Sequence, residues 1–201
     1  MRETLKMFGR AAATVAVAPA LLTFAIRGSV LGRDRALEGS SQLLALVPGL
    51  IGTYLRRAFL SRVLAHCDHT STVHFGTLLS QTGARLDANV YVGPHCHLGL
   101  VHLERDVMLA SAVHVPSGAE THGIDRIDRA ISEQPGARRL VRIGEGTWVG
   151  SAAVVLADIG RHCVVGAGAV VTRPLPDYSV AVGVPARVIR DRRQEGALTP
   201  R

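Results

Sequence analysis

The sequence predicts a mainly β protein, a parallel β-helix of triangular cross-section behind an apolar helical segment, and three observations carry that expectation. From about Ser71 onward, aliphatic residues recur with a period of six, where an ordinary strand would alternate by two and an amphipathic helix by 3.6. Two places before each aliphatic stands a small or β-branched uncharged residue, so every hexad specifies two inward positions. Finally, 47% of residues are hydrophobic but only 4% aromatic, which suits many thin, repeated packing layers better than a core of large rings.

Residues 1–66 are apolar without being repetitive. Ala11 to Ile26 carries no charge and is fenced by Arg10 and Arg27. As a helix it would be about 24 Å long, short of the roughly 30 Å hydrocarbon core of a bilayer. A signal peptide is the rival reading, but its best small-residue site, Ala16 to Ala18, comes early and is followed by Pro19. Leu43 to Leu55, broken at Pro48-Gly49 and followed by Arg56-Arg57, reads as an amphipathic segment lying on something apolar, or as a helical cap on the β domain. The flanking Arg and Lys suit anionic headgroups, and the expected location is the cytoplasmic, inner face of a membrane.

In the repeat, the aliphatic positions are Val73, Leu79, Leu86, Val92, Leu98, Leu103, Leu109 and Val115, then Ile143, Val149, Val155, Ile159, Val165 and Val171. Their companions run from Ser71 and Thr77 to Cys163 and Ala169, which makes Cys96 and Cys163 small buried hydrophobes. Glycine follows the aliphatic at 93, 99, 144, 150, 160 and 166, where a tight corner would use its conformational tolerance. Three hexads make one coil, coils stack about 4.8 Å apart, and the open ends need caps. Spacing shifts to seven at Leu79 to Leu86, five at Leu98 to Leu103 and four at Val155 to Ile159. The large break is the charged loop 117–140, and long insertions in a compact solenoid are usually functional. The β-helix domain is set at 67–189, with a flexible tail at 190–201.

The net charge of +7 permits an anionic partner. Nucleic acid is disfavoured, since the Arg residues are scattered and no aromatic-interleaved basic stripe exists to stack bases. Three cysteines without a CxxC pair indicate a reducing compartment.

Thr121-His122-Gly123, the charged loop, and Val141 to Ile189 with VRIGEGTWVG, VVTRPLP and GVPARVI resemble the hexapeptide acetyltransferases. The likeness is greatest to the maltose and galactoside O-acetyltransferase group and to acetyltransferases of bacterial surface-polysaccharide (colanic-acid-type) synthesis. It implies a left-handed coil, against the usual right-handed parallel crossover. It also implies acetyl-CoA or another acyl-CoA as co-substrate, no metal, a homotrimer, and O-acetylation of a sugar or polysaccharide-precursor hydroxyl.

By that resemblance His122 is the general base, and imidazole has a suitable pKa without special help. Trp148 and Gly150 lie by the CoA arm, and the Ser151 amide stabilises the thioester oxyanion. Amides near Ala169 receive the pantetheine, while Arg173 and Arg187 meet CoA phosphates, which their planar forks suit. The trimer would set His122 of one subunit against Trp148 of another. His97 departs from the Asn common in the group and is assigned to the acceptor site. Counting hexads puts His97, His114 and Trp148 in one outward column. Against these stand blander readings: His122 an incidental loop histidine, Trp148 packed in a trimer interface, the arginines solvated, and His97 merely exposed.

His95, His97 and His102, with His66 and His69, also invite a zinc-dependent, γ-carbonic-anhydrase-like reading, because that group shares the fold and a His-x4-His spacing. Rings on successive, differently facing strands do not converge, so no metal is expected. A non-catalytic membrane-associated scaffold is the third possibility.

Overall fold

A computed structural model describes residues 2–194, with side chains from Met7 onward. Four helices precede the repeat: α1 (Arg2–Ala16), α2 (Ala18–Leu31), α3 (Arg33–Ala45) and α4 (Gly49–Val63). No single helix among the described residues is long and apolar enough to cross a membrane; the pair Met7–Ala16 and Ala18–Leu31, bent by 45°, passes by length and composition together.

The repeat then winds through about six turns of short strands, parallel except for the last. They are β1 (His66–Cys67), β2 (Thr72–Val73), β3 (Leu78–Leu79), β4 (Arg85–Leu86), β5 (Tyr91–Val92), β6 (His97–Leu98), β7 (Val101–Leu103), β8 (Met108–Leu109) and β9 (His114–Val115). After the loop come β10 (Val141–Ile143), β11 (Trp148–Val149), β12 (Val154–Val155), β13 (Val164–Val165), β14 (Val170–Val171), β15 (Ser179–Val182) and β16 (Arg187–Asp191). Three sheets result: a first face β1-β4-β7-β10, a second β2-β5-β8-β11-β13-β15-β16, and a third β3-β6-β9-β12-β14.

All fourteen aliphatic positions of the hexads are at most 2% exposed, and their fourteen companions at most 6%. Each Val, Leu or Ile so buried contributes about 1.5–3 kcal/mol. The hydroxyls that enter the core are satisfied by the next coil: Thr77 donates to Gly93 O at 2.7 Å and Thr147 to Gly160 O at 2.8 Å. Cys96 and Cys163 do the same with their thiols, toward Ala110 O and Pro176 O at 3.1 Å, and all three cysteines are free and buried.

The hexad glycines have a different reason from the expected one. None of the six has a positive φ; they are needed because a Cβ would strike the adjacent coil, as at Gly144, where Arg161 N would lie 2.5 Å away. Left-handed backbone falls instead three residues after the aliphatic of the first two faces, at Asn89, His95, Asp106, Ala112, Ala152 and His162 among others. Asn, Asp and His tolerate it best among residues with a Cβ.

Every departure from six-residue spacing, and the loop itself, falls at the corner between the third and first faces. Because the loop leaves and re-enters at one corner, it uses up no face. That corrects the column count: Trp148 sits on the second face, paired with Met108 and Val164, whereas His97 and His114 pair with each other on the third.

The helices close the open end of the solenoid. Asp34 accepts from Thr82 N at 2.8 Å, Ser41 Oγ from Leu79 N at 2.8 Å, and Ala45 O from Gly76 N at 3.0 Å, while Arg56 Nε donates to Val73 O at 2.9 Å. These bonds fasten α3 and α4 to the first coil. At the far end β16 folds back antiparallel on β15. This also corrects the tail: Arg190 and Asp191 pair with Val180 and Ser179, and Arg192 N donates to Tyr178 O at 2.7 Å. Residues 195–201 lie outside the described residues.

Candidate functional site

The loop returns on itself as a narrow arm. Arg139 N donates to Ser117 O at 2.8 Å and Ala137 N to Glu120 O at 2.7 Å, so its two limbs run side by side from the root. Ser117 Oγ, accepting from Leu100 N at 2.9 Å, pins that root to the coil. Further out, the buried Gln134 amide clasps Arg126, accepting from its N–H at 3.0 Å and donating to its carbonyl at 2.7 Å.

His122 sits where the limbs cross. A Cβ on Gly136 would run into the Thr121 carbonyl and come within 2.6 Å of His122 N, and one on Gly123 would meet Pro135 O at 2.6 Å. Two glycines thus let the backbones touch and fix the peptide that carries His122. Its side chain is exposed and has no hydrogen-bond partner among the described residues. Gly136→Ala is expected to push the peptide that carries His122 out of place, since a Cβ there has no room beside Thr121 O and His122 N. The thermal midpoint should move little, because the arm lies outside the core; circular dichroism melting beside rate measurements checks this.

Thr121 and Arg138 form one wall of a cleft of about 480 Å³ on the third face. Its floor includes His97 and His114, with ring centroids 4.9 Å apart, and its far wall is Glu38 and Gln42 of α3. Burial, and then the neighbouring His114, hold the His97 pKa below its ordinary value of 6.5. The ring is neutral at neutral pH and can both donate and accept a hydrogen bond. Because the folded value is depressed, the associated stability is present above 6.5 and lost as pH falls through the folded value. His97→Gln should therefore flatten the decline in melting temperature as pH falls below 6.5.

The other sequence-selected residues occupy neighbouring parts of the repeat. Gly150, Ser151 and, one coil on, Ala169 lie at the corner between the second and third faces. Gly150 N donates to Val165 O at 2.8 Å, and Ser151 O accepts from Gly168 N at 2.8 Å. Among the described residues no backbone acceptor takes the exposed Ser151 N–H. The Ala169 amide, by contrast, is committed to Gly166 O at 3.3 Å and its side chain is buried. Arg173 is exposed beyond β14, and Arg187 is exposed on β16, with Nη1 on Ala186 O at 3.2 Å. Trp148 is 49% exposed on the second face, in a stripe with Tyr91 and Met108. A single chain thus gathers His97 with the root of the His122 arm but leaves Trp148 on another face.

The remaining histidines disperse. His95 is a corner residue edge-on to Phe75, and His102 Nε2 lies 2.9 Å from Asp87 on the first face, with His66 3.9 Å from the same carboxylate. Among the described residues no group of three His, Cys, Asp or Glu side chains could hold a metal ion. Glu38, Gln42, Thr121 and Arg138 were not selected from the sequence. The two from α3 come from outside the repeat, and nothing in the hexad pattern shows that the cap reaches this cleft.

The sequence profile of the hexapeptide repeat of succinyl-transferase matches residues 140–173. A Mycobacterium tuberculosis protein named as an acetyltransferase is 47% identical over 73 residues, which is 35% of this chain and 24% of that protein, so the match spans about a quarter of its length. An Escherichia coli protein carrying the name of a lipopolysaccharide biosynthesis O-acetyl transferase is 29% identical over 172 residues, 74% of this chain and 87% of that one. Among solved structures, a maltose O-acetyltransferase from Clostridium difficile superposes with a TM-score of 0.68 at 20% identity, covering 80% of this chain and 89% of that one. A galactoside acetyltransferase in complex with coenzyme A gives 0.63 at 20% identity, covering 81% and 82%.

Proposed function

We propose that this chain, which belongs to the hexapeptide-repeat acetyltransferases, moves an acetyl group from acetyl-CoA to the hydroxyl of a sugar or polysaccharide precursor, with His122 as general base. The observation that carries the reading is the arm that holds His122 at its limb crossing and lends Thr121 and Arg138 to the His97 cleft. A carboxylate, a guanidinium, an amide and two imidazoles around about 480 Å³ suit a polyhydroxyl acceptor, for which hydrogen bonds at several points fix orientation.

Bound acetyl-CoA supplies an activated acyl group as a thioester. His122 takes the acceptor O–H proton as the oxygen bonds to the acyl carbon, and returns it to sulfur as the C–S bond breaks. The Ser151 N–H is available to the thioester oxygen as charge gathers there. Arg173 and Arg187 lie unobstructed toward the C-terminal end of the repeat, where cofactor phosphates would reach them. Trp148 on a different face supports a site shared between chains, as a homotrimer would make, with the tryptophan of one beside the His122 arm of the next.

The helical cap supports location at the inner face of a membrane: residues 1–66 hold nine Arg or Lys against three Asp or Glu, while the rest of the chain has fourteen against thirteen. Incubation with acetyl-CoA and a panel of free, nucleotide-linked and lipid-linked sugars tests the function. A mass gain of one acetyl group on at least one sugar is expected, and acetylation of none of them would remove the assignment. With the preferred sugar, His97→Ala should raise the acceptor KM by roughly tenfold while the KM for acetyl-CoA holds.

A further inference from the structure

The cap contains a second concavity, of about 540 Å³, that shares no residue with the His97 cleft. It lies between α1, the start of α4 and the outer side of β2. Arg10 enters from α1 and Arg57 from α4, and neither has a carboxylate partner among the described residues. Arg57 rests over the Tyr54 ring, 4.7 Å from its centroid, and Arg10 Nε is buried without a hydrogen bond among the described residues. Such an orphaned donor is unfavourable unless a partner meets it. Thr53 and Thr70 spend their hydroxyls on Gly49 O and Asp68, while Thr72 and the His74 ring have no hydrogen-bond partner among the described residues. Among the described residues the site is thus cationic, rich in donors and lined by no acid, and the carboxylate of Asp68, next but one to the lining residue Thr70, is held by the Thr70 N–H and hydroxyl.

The surroundings of its mouth are apolar. Leu50 and Phe75 line it, and Ile51, Met7 and Phe8 are exposed nearby in sequence on α4 and α1. On α2 the outward residues Leu22, Ile26 and Val30 are exposed, and the two hydroxyls among them turn back on the helix, Thr23 to Ala20 O and Ser29 to Ile26 O. A surface with its hydroxyls so satisfied suits an apolar medium.

We propose that this pocket binds the phosphate of an anionic membrane lipid, Arg10 and Arg57 taking its oxygens while the acyl chains lie along the exposed apolar side chains of α1 and α4. The inference rests on the membrane-face reading above and names the contact that fixes it. Two arginines lining one concavity with a hydroxyl and an imidazole are the chemistry that recognises a phosphate ester.

The test is sedimentation of the full-length protein with vesicles of phosphatidylcholine, with and without phosphatidylglycerol. Wild type should bind the phosphatidylglycerol vesicles, and R10Q/R57Q should bind them roughly 10- to 30-fold more weakly, while the charge-matched R35Q/R85Q loses much less. Both double variants should keep wild-type melting and acetyl transfer to a soluble sugar. Equal losses in the two variants, or none in R10Q/R57Q, would overturn the pocket while leaving the membrane reading standing. Failure of the wild type to bind any vesicle would overturn both. Thermal stabilisation by inorganic phosphate without vesicle binding would assign the pocket to a soluble phosphate and sink the lipid proposal.

Discussion

Replacing His122 with alanine is expected to slow acetyl transfer by roughly 10²- to 10⁴-fold, with acetyl-CoA affinity near that of the wild type. The size follows from losing a positioned proton acceptor for an alcohol that is a weak nucleophile while protonated. The selectivity follows from placement: His122 is on the arm, whereas Ser151, Arg173 and Arg187 belong to the coils and the terminal ribbon. Stability should be almost unchanged, since the side chain is exposed and makes no hydrogen bond among the described residues. Single-turnover rates and calorimetric CoA binding on the same samples read both quantities. A variant within a few-fold of wild type in rate would remove His122 from the chemistry and leave the arm a structural feature.

Arg56→Leu should give the largest loss of stability. The side chain is 2% exposed and donates to Val73 O at 2.9 Å, Leu44 O at 2.9 Å and Val47 O at 2.8 Å, so one guanidinium joins the first coil to the turn between α3 and α4. Burial lowers its pKa from the usual value, yet an arginine so bonded stays charged. Leucine would fill part of the volume and take this donor from two buried carbonyls, Val73 O and Leu44 O, and from the part-buried Val47 O, at about 1–3 kcal/mol for each that water fails to reach. A total of about 3–5 kcal/mol lowers the midpoint of a domain this size by about 10 °C. Lysine should recover only a fraction, because one ammonium cannot reproduce the fork. Differential scanning calorimetry of the three proteins checks the order, and an unshifted midpoint for Arg56→Leu would mean that the cap is held by apolar packing alone.

The repeat was legible because its period is imposed by side chains that must meet the same environment every six residues. All twenty-eight paired inward positions are buried. Face assignment was less legible, because a loop that leaves and returns at one corner looks, in a linear count, as if it might consume a strand; Trp148 was misplaced for that reason. The corner backbone left an uneven trace, visible as Asn89, Asp106, His95 and His162 but silent at Ala112 and Ala152. The cap could not be derived, since its fastenings join residues far apart in sequence, such as Asp34 to Thr82 and Ser41 to Leu79. The same holds for the cleft wall of Glu38 and Gln42. Gly136 was invisible as a positioning residue for the opposite reason: its importance is a close approach to Thr121 and His122 that spacing does not encode.

The central claim, direct transfer from acetyl-CoA to an acceptor hydroxyl, is tested most directly by following thiol release and acetylated sugar together, with isotopically labelled acetyl-CoA. The account predicts one thiol released for each labelled acetyl group found on the sugar, with release falling to background when the sugar is omitted. Thiol release at the same rate without any acceptor, or label that never reaches a sugar, would contradict it.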